Sequence, residues 1–207
     1  MMQDVAPGTT RPGGRTARVR AAVLRAAADA LVEVGFAHLD LADVARRAEV
    51  GKTTVYRRWG TVTSVVADLL ADMAEQSSPR TETGCLLGDL KANARLVQRT
   101  LSDSRQGALF KAVIAAATCD RKTAQALHRF YEIRISEWAP CVRQAIDRGE
   151  VPAGTDPREV IRAVSAPLYY RLLTSADLPD EADADRAAEA AVAAARAGAY
   201  VACPASL

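Results

Sequence analysis

The chain has 207 residues, of which 25% are charged and only 5% aromatic, so it is long enough to fold without metals or cross-links and favours packed helices over an aromatic-rich β-sandwich. Cys85, Cys119, Cys141 and Cys203 are scattered without a C-x-x-C pair, and only His38 and His128 add imidazoles, which argues against a zinc site, a disulfide framework or any bound cofactor. The net charge of +2 divides into +4 over residues 1–60 and −2 over the remainder, a distribution that suits an anionic polymer at one end or a solvated basic helix face.

Residues 1–15 are rich in Pro and Gly, lack an apolar leader, and read as a disordered arm in which Arg11 and Arg15 add diffuse positive charge. From Thr16, a candidate N-cap, the positions Val19, Val23, Ala27, Leu31 and Val34 recur at helical spacing up to Gly35. Asp40, with Asp43 three residues on, resembles a capping box for a short helix from Leu41 to Ala48. The turn Glu49-Val50-Gly51 leads to a helix over 52–59, and Thr61 caps a fourth helix through Glu75. Ser77-Ser78-Pro79 and Gly84 mark the boundary to a second region. Beyond it, Leu86, Leu90, Ala94, Val97 and Leu101 make one stripe, and Phe110, Val113, Ile114 and Ala117 another. The longest helix is predicted from about Arg121 to Arg148, with Pro140 kinking it. Asp156-Pro157 opens the next, and an Ala-rich helix follows from about Ala182 to Ala202. The expected fold is all-α with about nine helices, and no run of 18 apolar residues predicts a membrane span, which points to a cytoplasmic protein.

Two short helices joined by a three-residue turn meet the geometry of a helix-turn-helix. Val55 and Trp59, four apart, set the inner face of the second helix and turn Lys52, Thr53, Tyr56 and Arg57 outward. Cations and hydroxyls at a helix N-terminus are suited to phosphate. Gly51-Lys52-Thr53 is not the end of a P-loop, because Arg46 stands where that motif needs Gly and a helix precedes it in place of a strand.

The segment from Phe36 to Trp59, and above all Val55-Tyr56 followed by an aromatic residue at 59, resembles the signature of the TetR family of transcriptional regulators. The resemblance implies DNA contacts from Lys52, Thr53, Thr54, Tyr56 and Arg57, to which the neighbouring Arg46 is added as a candidate. Two positions depart from the family pattern: Glu49 replaces a turn Gly and so must take a left-handed conformation or reshape the turn, and Val62 replaces a Lys near the start of the fourth helix. The stretches Arg148-Gly-Glu-Val-Pro152, Asp156-Pro157 and Ala166-Pro-Leu-Tyr-Tyr-Arg-Leu-Leu173 are similar to one C-terminal subtype of the family, which implies a homodimer built on the last two long helices.

The expected organisation is an arm over 1–15, a DNA-binding domain over 16–60, a connecting helix over 61–76, and an effector-binding and dimerisation domain over 77–207. Leu168 and Leu172, with the small side chains Ala187, Ala191 and Ala194, are the candidates for the dimer contact. Asn93, Phe110, Trp138 and Tyr169 are candidates for a small-molecule pocket, although the stripe Tyr131, Trp138 and Tyr169 also reads as core packing, and Asn93 and Thr100 as an ordinary helix border. No convergent acid, base or nucleophile signals an enzyme. The expected partners are therefore double-stranded operator DNA, a second copy of the chain and an effector, with a constitutive DNA-binding dimer as the alternative.

Overall fold

A computed structural model describes residues 14–76 and 82–201, so residues 1–13 of the expected arm and the Ser77-Ser78-Pro79 boundary lie outside the described residues, while Arg15, expected in the arm, is helical. Among the described residues the chain forms nine α-helices and one 3-10 turn: α1 (Arg15–Val34), the turn Phe36–His38, α2 (Leu41–Arg47), α3 (Lys52–Trp59), α4 (Val62–Glu75), α5 (Leu86–Ser102), α6 (Ser104–Cys119), α7 (Arg121–Asp147), α8 (Pro157–Thr174) and α9 (Glu181–Arg196).

Polar side chains set most of the starts. Asp40, Thr61, Asp103, Asp120, Asp156 and Asp180 each accept a backbone N–H in the first turn of the helix that follows, each such cap contributing about 1 kcal/mol. Three expectations need correction. α1 is capped by Gly14 and includes Arg15, so Thr16 is inside the helix. The capping box at α2 is half made, because the Asp43 carboxylate turns to Arg46 and Arg47, whereas a complete box forms at Asp180 and Asp183. α9 ends at Arg196, six residues early: Gly198 takes a positive φ of 78° and Ala199 N–H bonds back to Ala194. The chain then returns to α8, where Asp156 N–H donates to the Tyr200 carbonyl at 2.7 Å.

α1, α2 and α4 pack together, with α3 held on α2 and α4. In the C-terminal region α8 and α9 pack on α5, while α7 lies against α4, α6 and α8 and runs unbroken through Pro140. α5 and α6 meet so closely that a Cβ on Gly107 would stand 2.3 Å from the Leu101 carbonyl oxygen, a position only glycine fits. The Arg148-Gly-Glu150 stretch has a structural task as well. Glu150 accepts the Leu86 N–H at 2.9 Å and so caps α5 from 64 residues away, its carboxyl held low, against the upward push of burial, by that N–H and by Arg148.

Candidate nucleic-acid interface and adjoining cavity

The helix-turn-helix is assembled on small and branched side chains. Val44, Ala45 and Val55 are fully buried and Trp59 nearly so, with Ala48 and Val50 packed against them. Glu49 makes the turn at φ 55°, as the second residue beyond α2. Its N–H bonds to the Arg46 carbonyl and Val50 N–H to the Ala45 carbonyl, a Schellman arrangement with glutamate in the glycine position.

On α3 the structure exposes Lys52, Thr53, Tyr56 and Arg57 together, and leaves Thr54 half-buried beside them. Gly51 caps the helix without a side-chain acceptor; its carbonyl takes the Thr54 N–H at 2.9 Å, which leaves the Lys52 and Thr53 N–H groups at the helix start to meet an anion. Arg46 is exposed next to this face and pairs with Asp43, while Arg47 is held by Glu33 and Asp43 at 2.6 Å each. Arg58 lies 5.0 Å over the Trp59 ring.

Sequence reasoning missed what fixes α3 in space. Trp59 Nε1 donates to Asp68 of α4 at 2.9 Å, and Arg20 of α1 donates to Asp68 at 2.8 Å and to Asp72 at 2.5 Å. Burial alone would raise the Asp68 carboxyl, yet the guanidinium of Arg20 and the indole N–H hold it below its usual value. One carboxylate thus ties α1, α3 and α4 together; the only trace in the sequence is the i, i+4 spacing of Asp68 and Asp72.

α4 also reaches the second feature. A cavity of about 720 Å³ lies between α4, α5, α6, α7 and α8, with Met73 and Gln76 of α4 in its wall. Asn93, Phe110, Trp138 and Tyr169 all line it, and so does the border residue Thr100. Phe130 and Tyr131, not among the pocket candidates, line it too: Phe110, Phe130, Tyr131 and Tyr169 form a closed set of rings with neighbouring centroids 5.3–5.8 Å apart. His128 also borders the cavity and is exposed.

The dimer candidates fare differently. Leu168, Leu172, Ala187 and Ala191 are buried inside the protomer and Ala194 is half-buried, so their apolar area is already used between α5, α8 and α9. What these helices expose instead is Tyr170, Leu173 and the outer alanines Ala182, Ala190 and Ala193.

Comparison with known families decides the identity. Residues 23–68 match the family of bacterial regulatory proteins of the tetR type, and residues 80–191 match the tetracyclin repressor-like C-terminal domain. The chain belongs to the TetR family. As a TetR-family protein it is a helix-turn-helix transcriptional regulator and not an enzyme. It is 32% identical to the uncharacterized HTH-type regulator YdeS of Bacillus subtilis over 75% of this chain and 79% of that one. It is 28% identical to the DNA-binding transcriptional repressor TetR of Mycobacteroides abscessus, over 77% and 85% of the two chains. Among solved structures, the SmeT–triclosan complex shares the fold with a TM-score of 0.67 at 19% identity, covering 91% of this TetR-family chain and 96% of SmeT. No helix among the described residues is long and apolar enough to cross a membrane.

Proposed function

We propose that this regulator is a homodimeric repressor that binds a pseudo-palindromic operator through α3 and leaves it when a small molecule occupies the cavity between α4 and α8. The observation that carries the reading is that one helix serves both sites. α4 presents Met73 and its C-cap Gln76 to the cavity and, about 8 Å back from Met73 along the same helix, holds Trp59 and Arg20 through Asp68, with Asp72 adding a second bond to Arg20. A second connection runs through α6, where Gln106 and Phe110 line the cavity and Arg105 pairs with Asp29 of α1 at 2.6 Å. The repressor named among the relatives and the triclosan held by SmeT agree with this reading.

An occupant favours release only if it binds better to the conformer whose reading helices are misplaced for DNA. A tenfold loss of operator affinity needs only about 1.4 kcal/mol of such preference. The dimer is assigned to α8 and α9 through their outer faces, led by Tyr170 and Leu173. Two copies of α3 then face half-sites whose centres lie about one helical turn, or a multiple of it, apart. The setting is the cytoplasm, where operator DNA is found. The test is selection of bound sites from random duplexes, followed by a compound screen read by fluorescence anisotropy of the selected DNA. Inverted repeats and at least one compound that lowers affinity are expected. Sites without two-fold symmetry overturn the operator assignment, and an occupied cavity with unchanged affinity replaces release by constitutive binding.

A further inference from the structure

We propose that the molecule the cavity takes is an uncharged aromatic compound carrying an N–H or O–H group, which it donates to Asn93; this rests on reading the cavity as the effector site. The shape of the wall argues for the aromatic part. Phe110, Phe130, Tyr131 and Tyr169 stand at interplanar angles of 56° to 88°, three of the four contacts edge to face and the Phe110–Phe130 contact tilted. Trp138 and Ile135 add buried apolar surface in the same cavity. A flat ring entering such a wall repeats the contacts its components already make with one another.

Asn93 argues for the donor. It is 4% exposed, lies on α5 in the cavity wall, and its Oδ1 has no hydrogen-bond partner in the protein. A buried acceptor left unpaired costs more than an ordinary hydrogen bond contributes, so an occupant that supplies an N–H or O–H there is favoured over one of equal shape that does not.

The charges argue against an ionic occupant. Glu132 is engaged by Arg158 and Arg162, Arg162 also holds Glu159 at 2.5 Å, and Arg134 holds Glu137 at 3.1 Å. An anion entering the cavity must break pairs to gain a guanidinium, and a cation meets a carboxylate already shared by two arginines. Burial also pushes the Tyr131 phenol up to about 12 and the Tyr169 phenol well up, so neither offers a negative charge near neutral pH.

Titration calorimetry at pH 7 with 2-naphthol, 2-methylnaphthalene and 2-naphthoate separates these contributions, since the three share a ring system and differ in one substituent. The full-length protein is expected to bind 2-naphthol about tenfold more tightly than 2-methylnaphthalene, with 2-naphthoate weakest. In Asn93→Leu, close in size, the advantage of the hydroxyl should vanish; Asn93→Ala provides the same comparison if Leu does not fit, and circular dichroism establishes that each variant is folded. An advantage that survives both substitutions overturns the role of Asn93. Tightest binding by 2-naphthoate overturns the uncharged class, and no binding by any of the three overturns the aromatic one. If 2-naphthol binds with the expected ranking yet leaves operator affinity unchanged, the chemical class stands and the release reading falls.

Discussion

Glu49 holds a positive φ at the centre of the DNA-binding motif, where a Cβ costs about 1 kcal/mol relative to glycine. Glu49→Gly is therefore expected to stabilise the fold by about 0.5–1 kcal/mol, read as a rise of about 1–4 °C in thermal midpoint; an unchanged or lower midpoint would show that the carboxylate compensates the strain. The outward residues of α3 give a second prediction. Lys52→Ala should weaken operator binding and flatten its logarithmic salt dependence by nearly one unit, as for the loss of one phosphate contact. Tyr56→Phe, which removes only an exposed hydroxyl, should cost about three- to tenfold in affinity. If neither variant changes affinity or slope, α3 does not meet DNA through this face. These positions were visible in the sequence because Val55 and Trp59 alone orient an eight-residue helix. Asp68 was not, because its partners Arg20 and Trp59 lie 48 and nine residues away and no local pattern joins them.

Helices were legible closely where an apolar stripe was bounded by a cap or a breaking residue, as at α2, α3, α4 and α8, whereas α5 and α6 showed only as stripes without bounds. The partners of the helices were less legible. The stripes of α8 and α9 were read as facing a second chain, but Leu168, Leu172, Ala187 and Ala191 are buried within their own protomer. Periodicity tells which side chains leave water without telling which chain covers them. The pocket residues Asn93, Phe110, Trp138 and Tyr169 were named with core packing as the alternative, since an aromatic stripe around a space and one around a solid core have the same spacing. α4 is the element whose disturbance is most informative. Asp68→Asn keeps an acceptor for Trp59 but weakens the charge-assisted bonds from Arg20, and is expected to lose about 1–2 kcal/mol of stability together with operator affinity. Because the folded state holds the Asp68 carboxyl below its usual 3.8, its contribution is complete above that pH and disappears as pH falls through the lower folded value. Denaturant midpoints of the two proteins should therefore differ at pH 7 and converge in strong acid; a gap that persists there would assign the effect to packing alone.

Across the whole molecule, two reading helices must be set at a fixed separation, and the exposed apolar side chains of α8 are the natural place to fix it. Tyr170 is 71% exposed and Leu173 49%, more than a monomer's α8 requires. The double substitution Tyr170→Asp, Leu173→Asp is expected to give a folded monomer by sedimentation, with operator affinity reduced at least a hundredfold as the two half-sites are no longer bound together; a stable dimer would place the interface elsewhere. The positions of the two tryptophans have a consequence of another kind. Trp138 is 3% exposed in the cavity wall, and Trp59 is anchored to α4 through the 2.9 Å bond to Asp68. With Trp59→Phe and Trp138→Phe, each leaving a single indole, stopped-flow fluorescence can time the two ends of the molecule separately. A Trp138 signal that runs ahead of Trp59 means that the DNA-binding end rearranges after the occupant arrives. A Trp59 rate independent of occupant concentration means that the molecule was already moving between its two forms and the occupant only trapped one.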